Sequence, residues 1–164
     1  MIGVPRNYEE WKLWCDTVQH QTTVDKSESQ SSKSKRIKHL QNNYSDFVNY
    51  YFPHYTTNKE TENITMSAPF HVDAANEVKE TINLKAAYVW ARGHAKSTHF
   101  DIFIPMWLKC QKRKQLHLMV LVGKSEDNAN TLLSDIQAEL QFNQRYIADF
   151  GEQYNVGSWQ TGEF

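Results

Sequence analysis

At 164 residues, with 40% hydrophobic and 13% aromatic side chains, the chain is long enough for one domain with a real core. A formal net charge of −1 excludes a global attraction to nucleic acid or anionic membrane, so any DNA contact has to come from a local patch. There is no apolar run of about eighteen residues to span a membrane, the start M-I-G-V-P-R-N-Y-E-E lacks a signal-peptide core, and Cys15 and Cys110 lie too far apart in sequence to suggest a disulfide framework, so a cytoplasmic, non-secreted protein with reduced thiols is expected.

Between Tyr8 and Val18, the residues Trp11, Trp14, Cys15 and Val18 recur at helical spacing with Glu9, Glu10 and Lys12 opposite. This predicts an N-terminal helix within residues 1–20, its tryptophans serving as packing groups. Residues 21–36 change to Thr, Ser, Gln, Lys and Glu, with five serines from Ser27 to Ser34, the composition of a flexible linker. The closing basic cluster Lys33, Lys35, Arg36 and Lys38 reads as a solvated helix start, with a DNA-backbone contact as the sharper alternative.

Residues 37–164 read as a second unit. Ile37, Leu40, Tyr44, Phe47, Val48 and Tyr51 form one helical stripe that Pro53 ends. The aromatics Tyr50, Tyr51, Phe52 and Tyr55 are expected in the core, with stacking on a nucleobase as the alternative. After a polar loop at Thr56–Thr65, the run Phe70–Ile82 places Val72, Ala75, Val78 and Ile82 inside a helix, where His71 caps or packs at the start.

Lys85–Thr98 reads K-A-A-Y-V-W-A-R-G-H-A-K-S-T. The apolar run Ala86–Trp90 predicts a buried strand; it feeds a small-residue turn and then Lys96, Ser97 and Thr98 at the mouth of a helix, the layout of a phosphate-binding P-loop. In G-x-x-x-x-G-K-S/T the glycine positions fall on Trp90 and Ala95 here. The following helix runs through Phe100, Phe103, Ile104, Trp107 and Leu108, with a kink or stop expected near Ile104 because Pro105 lacks a backbone donor. Lys109, Lys112, Arg113 and Lys114 gather at its end. Leu116–Val122 is the strongest strand signal, Gly123 ends it, and Ser125, Glu126 and Asp127 open a helix buried through Ala129, Leu132, Leu133, Ile136 and Leu140. The order strand, loop, helix, strand, helix predicts an α/β class: a partial P-loop nucleotidase with a parallel βαβ sheet, preceded by an N-terminal helical segment. In the tail, Ile147 and Phe150 close a short helix, Gly151 and Gly157 mark turns, and Ser158–Phe164 begins a strand or hairpin.

In such a loop successive backbone amides wrap phosphates and the helix N-terminus points positive charge at them. Arg92, Gly93, His94, Ala95, Lys96, Ser97 and Thr98 are therefore the candidate cofactor-binding residues. Lys96 reaches the β- and γ-phosphates, Ser97 ligates Mg²⁺, and Thr98 bonds a phosphate oxygen. Arg92 sits where a cis arginine finger would, a device worth about 10³ to 10⁵ in rate. The alternative is a basic strand-to-helix turn without a ligand. His94 and His99 are five apart and fall on different sides of a helix, so they make no metal pair.

Taken together, Y-F-P-H-Y (Tyr51–Tyr55), A-P-F-H (Ala68–His71), R-G-H-A-K-S-T, M-V-L-V-G-K-S-E-D-N-A (Met119–Ala129) and I-A-D-F-G (Ile147–Gly151) resemble the ATPase half of phage terminase large subunits, from about Tyr44 to Phe164. The resemblance implies an ATP hydrolase of viral DNA packaging with ATP and Mg²⁺ as cofactors and Lys96 and Arg92 as catalytic residues. It further implies double-stranded DNA, a portal protein and a small terminase subunit as partners, and a homo-oligomer on the portal in the bacterial cytoplasm. Two departures accompany it. No apolar strand ending in Asp-Glu follows Lys96, since Asp127 heads a helix and Asp149 lacks the apolar run, and the family's nuclease domain has no counterpart. The expectation is an ATPase segment cut before its catalytic carboxylates. The alternatives are another P-loop motor of helicase or recombinase type, and a non-catalytic remnant or assembly module.

Overall fold

The computed structural model describes residues 7–58, 61–112, 116 and 118–153, and every regular element among them is helical. Helix α1 (Tyr8–Gln21) starts where Asn7 Oδ1 accepts the Glu10 amide at 2.9 Å, with Glu9 and Glu10 against the positive end. Helix α2 (Gln30–Asn42) is capped by Ser29, so the second half of the Ser/Lys-rich stretch is helical from Gln30. Asn43 separates it from α3 (Tyr44–Tyr51), and Pro53 opens the single turn α4 (Pro53–Thr56) rather than only ending what precedes it. Helix α5 (Pro69–Glu80) follows. Residues Thr98–Phe103 form a π-helical stretch that runs into α6 (Ile104–Lys109). The wider turn precedes Pro105, whose missing donor falls in the first turn of α6 where no partner is needed. Helix α7 (Glu126–Phe142) is capped by Ser125, and α8 (Gln144–Phe150) by Asn143.

The main core joins α3 (Tyr44, Phe47, Val48, Tyr51) and Phe52 to Ala75 of α5, Ile102–Leu108, Ile136 and Leu140 of α7, and Tyr146 of α8. Trp107 lies at its centre, fully buried; its Nε1–H donates to Leu40 O at 3.2 Å and the Lys79 ammonium covers its face at 4.4 Å. A second cluster packs Trp14, Cys15 and Val18 of α1 on Ala138 of α7.

Buried charge is paired. The Arg36 guanidinium of α2 bridges Glu28 (2.6 Å) and the Asp149 carboxylate of α8 (2.5 Å), which also accepts from the Tyr51 hydroxyl at 2.7 Å. Lys33 donates to Ala148 O. Two half-buried members of the basic cluster are thus engaged within the molecule, and Lys35 and Lys38 remain exposed. Within the bundle His54 Nε2 meets Glu139 Oε1 at 2.5 Å, both side chains fully buried, and Asn143 Nδ2 donates to Glu139 Oε2 at 2.8 Å. Burial and then the Glu139 charge push the neighbouring Asp135 up to about 7.

The α/β expectation is overturned. No strand or sheet occurs among the described residues; the one β-type pairing there is an isolated antiparallel bridge between Thr57 and Ile64. The two runs expected as buried parallel strands, Ala86–Trp90 and Leu116–Val122, carry no regular structure at their described positions and are buried on neither both faces nor a whole length. Val89 is 90% exposed, Leu118 81% and Val122 88%, while Tyr88, Trp90, Met119 and Leu121 are half-buried. Side chains therefore alternate with the period of a strand, but the backbone has no ladder partner, and a strand without one does not stand alone. Over residues 37–164, where an incomplete P-loop domain is expected, every regular element among the described residues is helical, and the segments between them carry no strand. Arg113, Lys114, His117, Gly157 and the strand or hairpin expected at Ser158–Phe164 lie outside the described residues.

Candidate phosphate-binding loop

The candidate loop leaves Trp90 and enters the π-helical stretch at Thr98. Trp90 is not the end of a buried strand; it is a half-buried anchor, with ring centroids 5.1 Å from Phe70, 5.0 Å from His71 and 5.2 Å from Phe100. Beyond it the backbone reverses. His94 N–H donates to Ala91 O at 3.3 Å, closing a turn around Arg92 and Gly93. Gly93 takes φ +88° and Ala95 takes φ +52°, two left-handed residues flanking His94. Glycine reaches that region freely, whereas alanine does so at a cost of about 1–2 kcal/mol. Ala95 thus adopts, as a non-glycine residue, a left-handed backbone at the position where the P-loop pattern has glycine.

Helical geometry begins at Lys96, Ser97 is right-handed at φ −60°, and His99 N–H returns to Ala95 O at 3.0 Å. The amides that open this turn have no intrahelical carbonyl to meet. Arg92, His94, Lys96 and Ser97 are exposed and Thr98 is half-buried. A Cβ added at Gly93 would meet nothing within 4 Å, so the outer side of the loop is open. Asp101 lies one turn on; burial raises its carboxyl above the ordinary range and the Lys96 charge opposes that rise. The seven predicted residues thus form one largely exposed, cationic segment, a turn running into a helix start, that can hold an anion through backbone amides, the Lys96 ammonium and the Arg92 guanidinium. Ser97, expected to ligate Mg²⁺, lies beside Lys96 with its side chain exposed. No group of three or more His, Cys, Asp and Glu side chains placed for a metal ion occurs among the described residues.

Beneath the loop lies a set of residues that motif reasoning did not assemble. His71 of α5 accepts the Ala68 amide at Nδ1 (3.1 Å) and, through Nε2–H, donates to the His94 carbonyl (3.0 Å). Its ring stacks on His99 at 3.8 Å, and His99 Nδ1 lies 2.7 Å from the Tyr44 hydroxyl. Burial, then the nearby His71, pushes His99 down to about 3, so its ring is neutral at ordinary pH. The one sequence signal was the placing of His71 three residues after Ala68, where a side-chain acceptor can cap the helix start. The contacts to His94 and His99 cross 23 and 28 residues and have no local signature.

Other expected participants are committed elsewhere. Tyr51 and Phe52 are core residues, and Tyr50 lies under the Arg36 and Arg145 guanidinium groups at 4.5 and 5.0 Å. The Asp149 carboxylate is spent on Arg36, Lys33 and Tyr51, and Asp127 occupies the exposed first turn of α7. No family model, curated protein or solved structure matches the chain significantly.

Proposed function

We propose that residues 91–98 bind the phosphates of ATP with Mg²⁺, and that the chain is the nucleotide-binding segment of a viral DNA-packaging motor of the terminase type. The observation that carries the reading is the pair of left-handed residues Gly93 and Ala95 immediately before Lys96 and an opening helical turn. Alternating backbone handedness turns successive amides toward one concave side, the arrangement that receives phosphate oxygens. Lys96 contributes a mobile point charge, Ser97 a hydroxyl for the metal, and Arg92 a guanidinium for the γ-phosphate. In this reading double-stranded DNA, a portal protein and a small terminase subunit are partners of the assembled motor. ATP hydrolysis belongs to that assembly, because turnover needs a carboxylate to orient water and Asp149 is engaged within the core.

Thermal shift and isothermal titration with MgATP and MgADP test the reading. The expected result is saturable binding by the wild type that Lys96→Ala abolishes while helical content is unchanged. Absence of any shift with either nucleotide, or wild-type affinity in Lys96→Ala, overturns it.

A further inference from the structure

The position of His71 under the loop has a consequence for binding. We propose that His71 is a positioning residue for the phosphate loop, an inference that rests on the nucleotide-binding reading above. His71 is 9% exposed and is fixed from several directions. The Ala68 amide donates to Nδ1, which leaves the proton on Nε2, and a carbonyl can only accept, so Nε2–H donates to His94 O. The ring is held against His99 at 3.8 Å and an interplanar angle of 24°, and against Trp90 at 5.0 Å. His99 is itself tied to Tyr44 of the core. A continuous path of contacts therefore runs from α3, through two stacked imidazoles, to a single backbone oxygen of the loop.

That oxygen sets the direction of an amide. The described residues contain no cis peptide bond, and in a trans peptide the carbonyl of one residue and the N–H of the next point to opposite sides. Holding the His94 carbonyl toward α5 turns the Ala95 N–H away from α5, toward the open side of the loop. Without His71 the 94–95 peptide is free to flip, and a flip would present a carbonyl where a phosphate needs a donor. His71 touches no ligand in this arrangement; it acts through the peptide it holds.

Two substitutions separate the two hydrogen bonds of His71. In His71→Asn the short amide still caps Ala68 through its oxygen but does not span to His94. In His71→Gln the longer amide reaches His94 as a donor, and its oxygen can still accept from the Ala68 amide. Full-length variants are titrated with MgATP and with magnesium tripolyphosphate, and their melting temperatures are recorded. Loss of one orienting hydrogen bond lowers the affinity of His71→Asn for both ligands about tenfold, while His71→Gln stays within about threefold of the wild type. The melting temperatures do not follow that order. The proposal is overturned if His71→Asn binds like the wild type while Lys96→Ala does not, and the nucleotide-binding reading then stands alone. It is equally overturned if affinity in both variants simply tracks melting temperature. If the wild type binds neither ligand, both readings fall. Should His71→Asn not fold, amide exchange in His71→Gln decides: protection of the Ala95 amide by MgATP supports the proposal, and its loss removes it.

Discussion

The helical core and the loop region solve the same problem in opposite ways. Around Trp107 the core aromatics Tyr44, Phe47, Tyr51 and Phe52 are enclosed, and the buried Glu139 and Asp149 carboxylates have cationic, imidazole or amide partners. Residues 88–90 and 118–122 instead bury alternate side chains in part and leave the intervening apolar ones in water, and residues 91–97 are almost all exposed. The core derives its order from complete burial. The loop region derives its order from a few point attachments: Trp90 among its aromatic neighbours, and the His71 bond to His94. Under the proposed function, stability and phosphate binding belong to different parts, and substitutions should separate them.

The largest separation is expected from truncating one apolar side chain in each region. Trp107→Ala should destabilise the protein by about 4 kcal/mol in denaturant titration, whereas Val120→Ala, at a position 72% exposed, should change it by less than about 0.5 kcal/mol. Similar costs would show that the second region is as enclosed as the first.

Acid should sharpen the contrast next. His99, under the loop, is held near 3 against an ordinary 6.5, so the unfolded chain binds its proton first. Its contribution is complete above its ordinary value and is lost as pH falls from 6.5 toward 3. Asp135, in the bundle, is raised from 3.8 to about 7, so its contribution is complete below 3.8 and is lost as pH rises through 7. The two slopes oppose each other and flatten the wild-type profile. Asp135→Asn should reveal a fall in stability on acidification approaching about 1.4 kcal/mol per pH unit, and His99→Asn should reverse the sign. Identical profiles in all three proteins would refute both assignments.

The smallest effect concerns the backbone. Ala95→Gly removes a left-handed cost of about 1–2 kcal/mol and adds unfolded-chain freedom worth about 0.4–1 kcal/mol, for a net gain of about 0.5–1 kcal/mol. MgATP affinity should hold or improve. A measured loss of stability would mean that the Ala95 methyl makes a contact worth more than the strain.

The amphipathic periodicity of α1, α3, α5 and α7 was legible because a helix makes its hydrogen bonds within itself and shows its buried face at a fixed spacing, but Ile82, expected inside, lies beyond the end of α5 and is 88% exposed. The cap at Ser125 was legible for the same local reason. Leu116–Val122 misled because alternation and apolar content describe a side-chain pattern, while a strand also needs a neighbouring backbone that no local pattern reveals. The break at Asn43 and the π-helical stretch before Pro105 depend on tertiary fit. In the candidate site, the contiguous turn Arg92–Thr98 could be read directly, but the supporting set Tyr44, His71 and His99 could not, since it assembles from three separate elements.

Arg36 reaches Asp149 across 113 residues, and α1 rests on α7. During vectorial synthesis the first two helices therefore emerge long before the surfaces that complete them. Trp14 meets His54 and Tyr55 first, and its cluster is completed only when Ala138 of α7 arrives. Loop-closure entropy is met late and in one step, so this chain should fold more slowly than its helical content suggests, with docking of the last helices as the committing event.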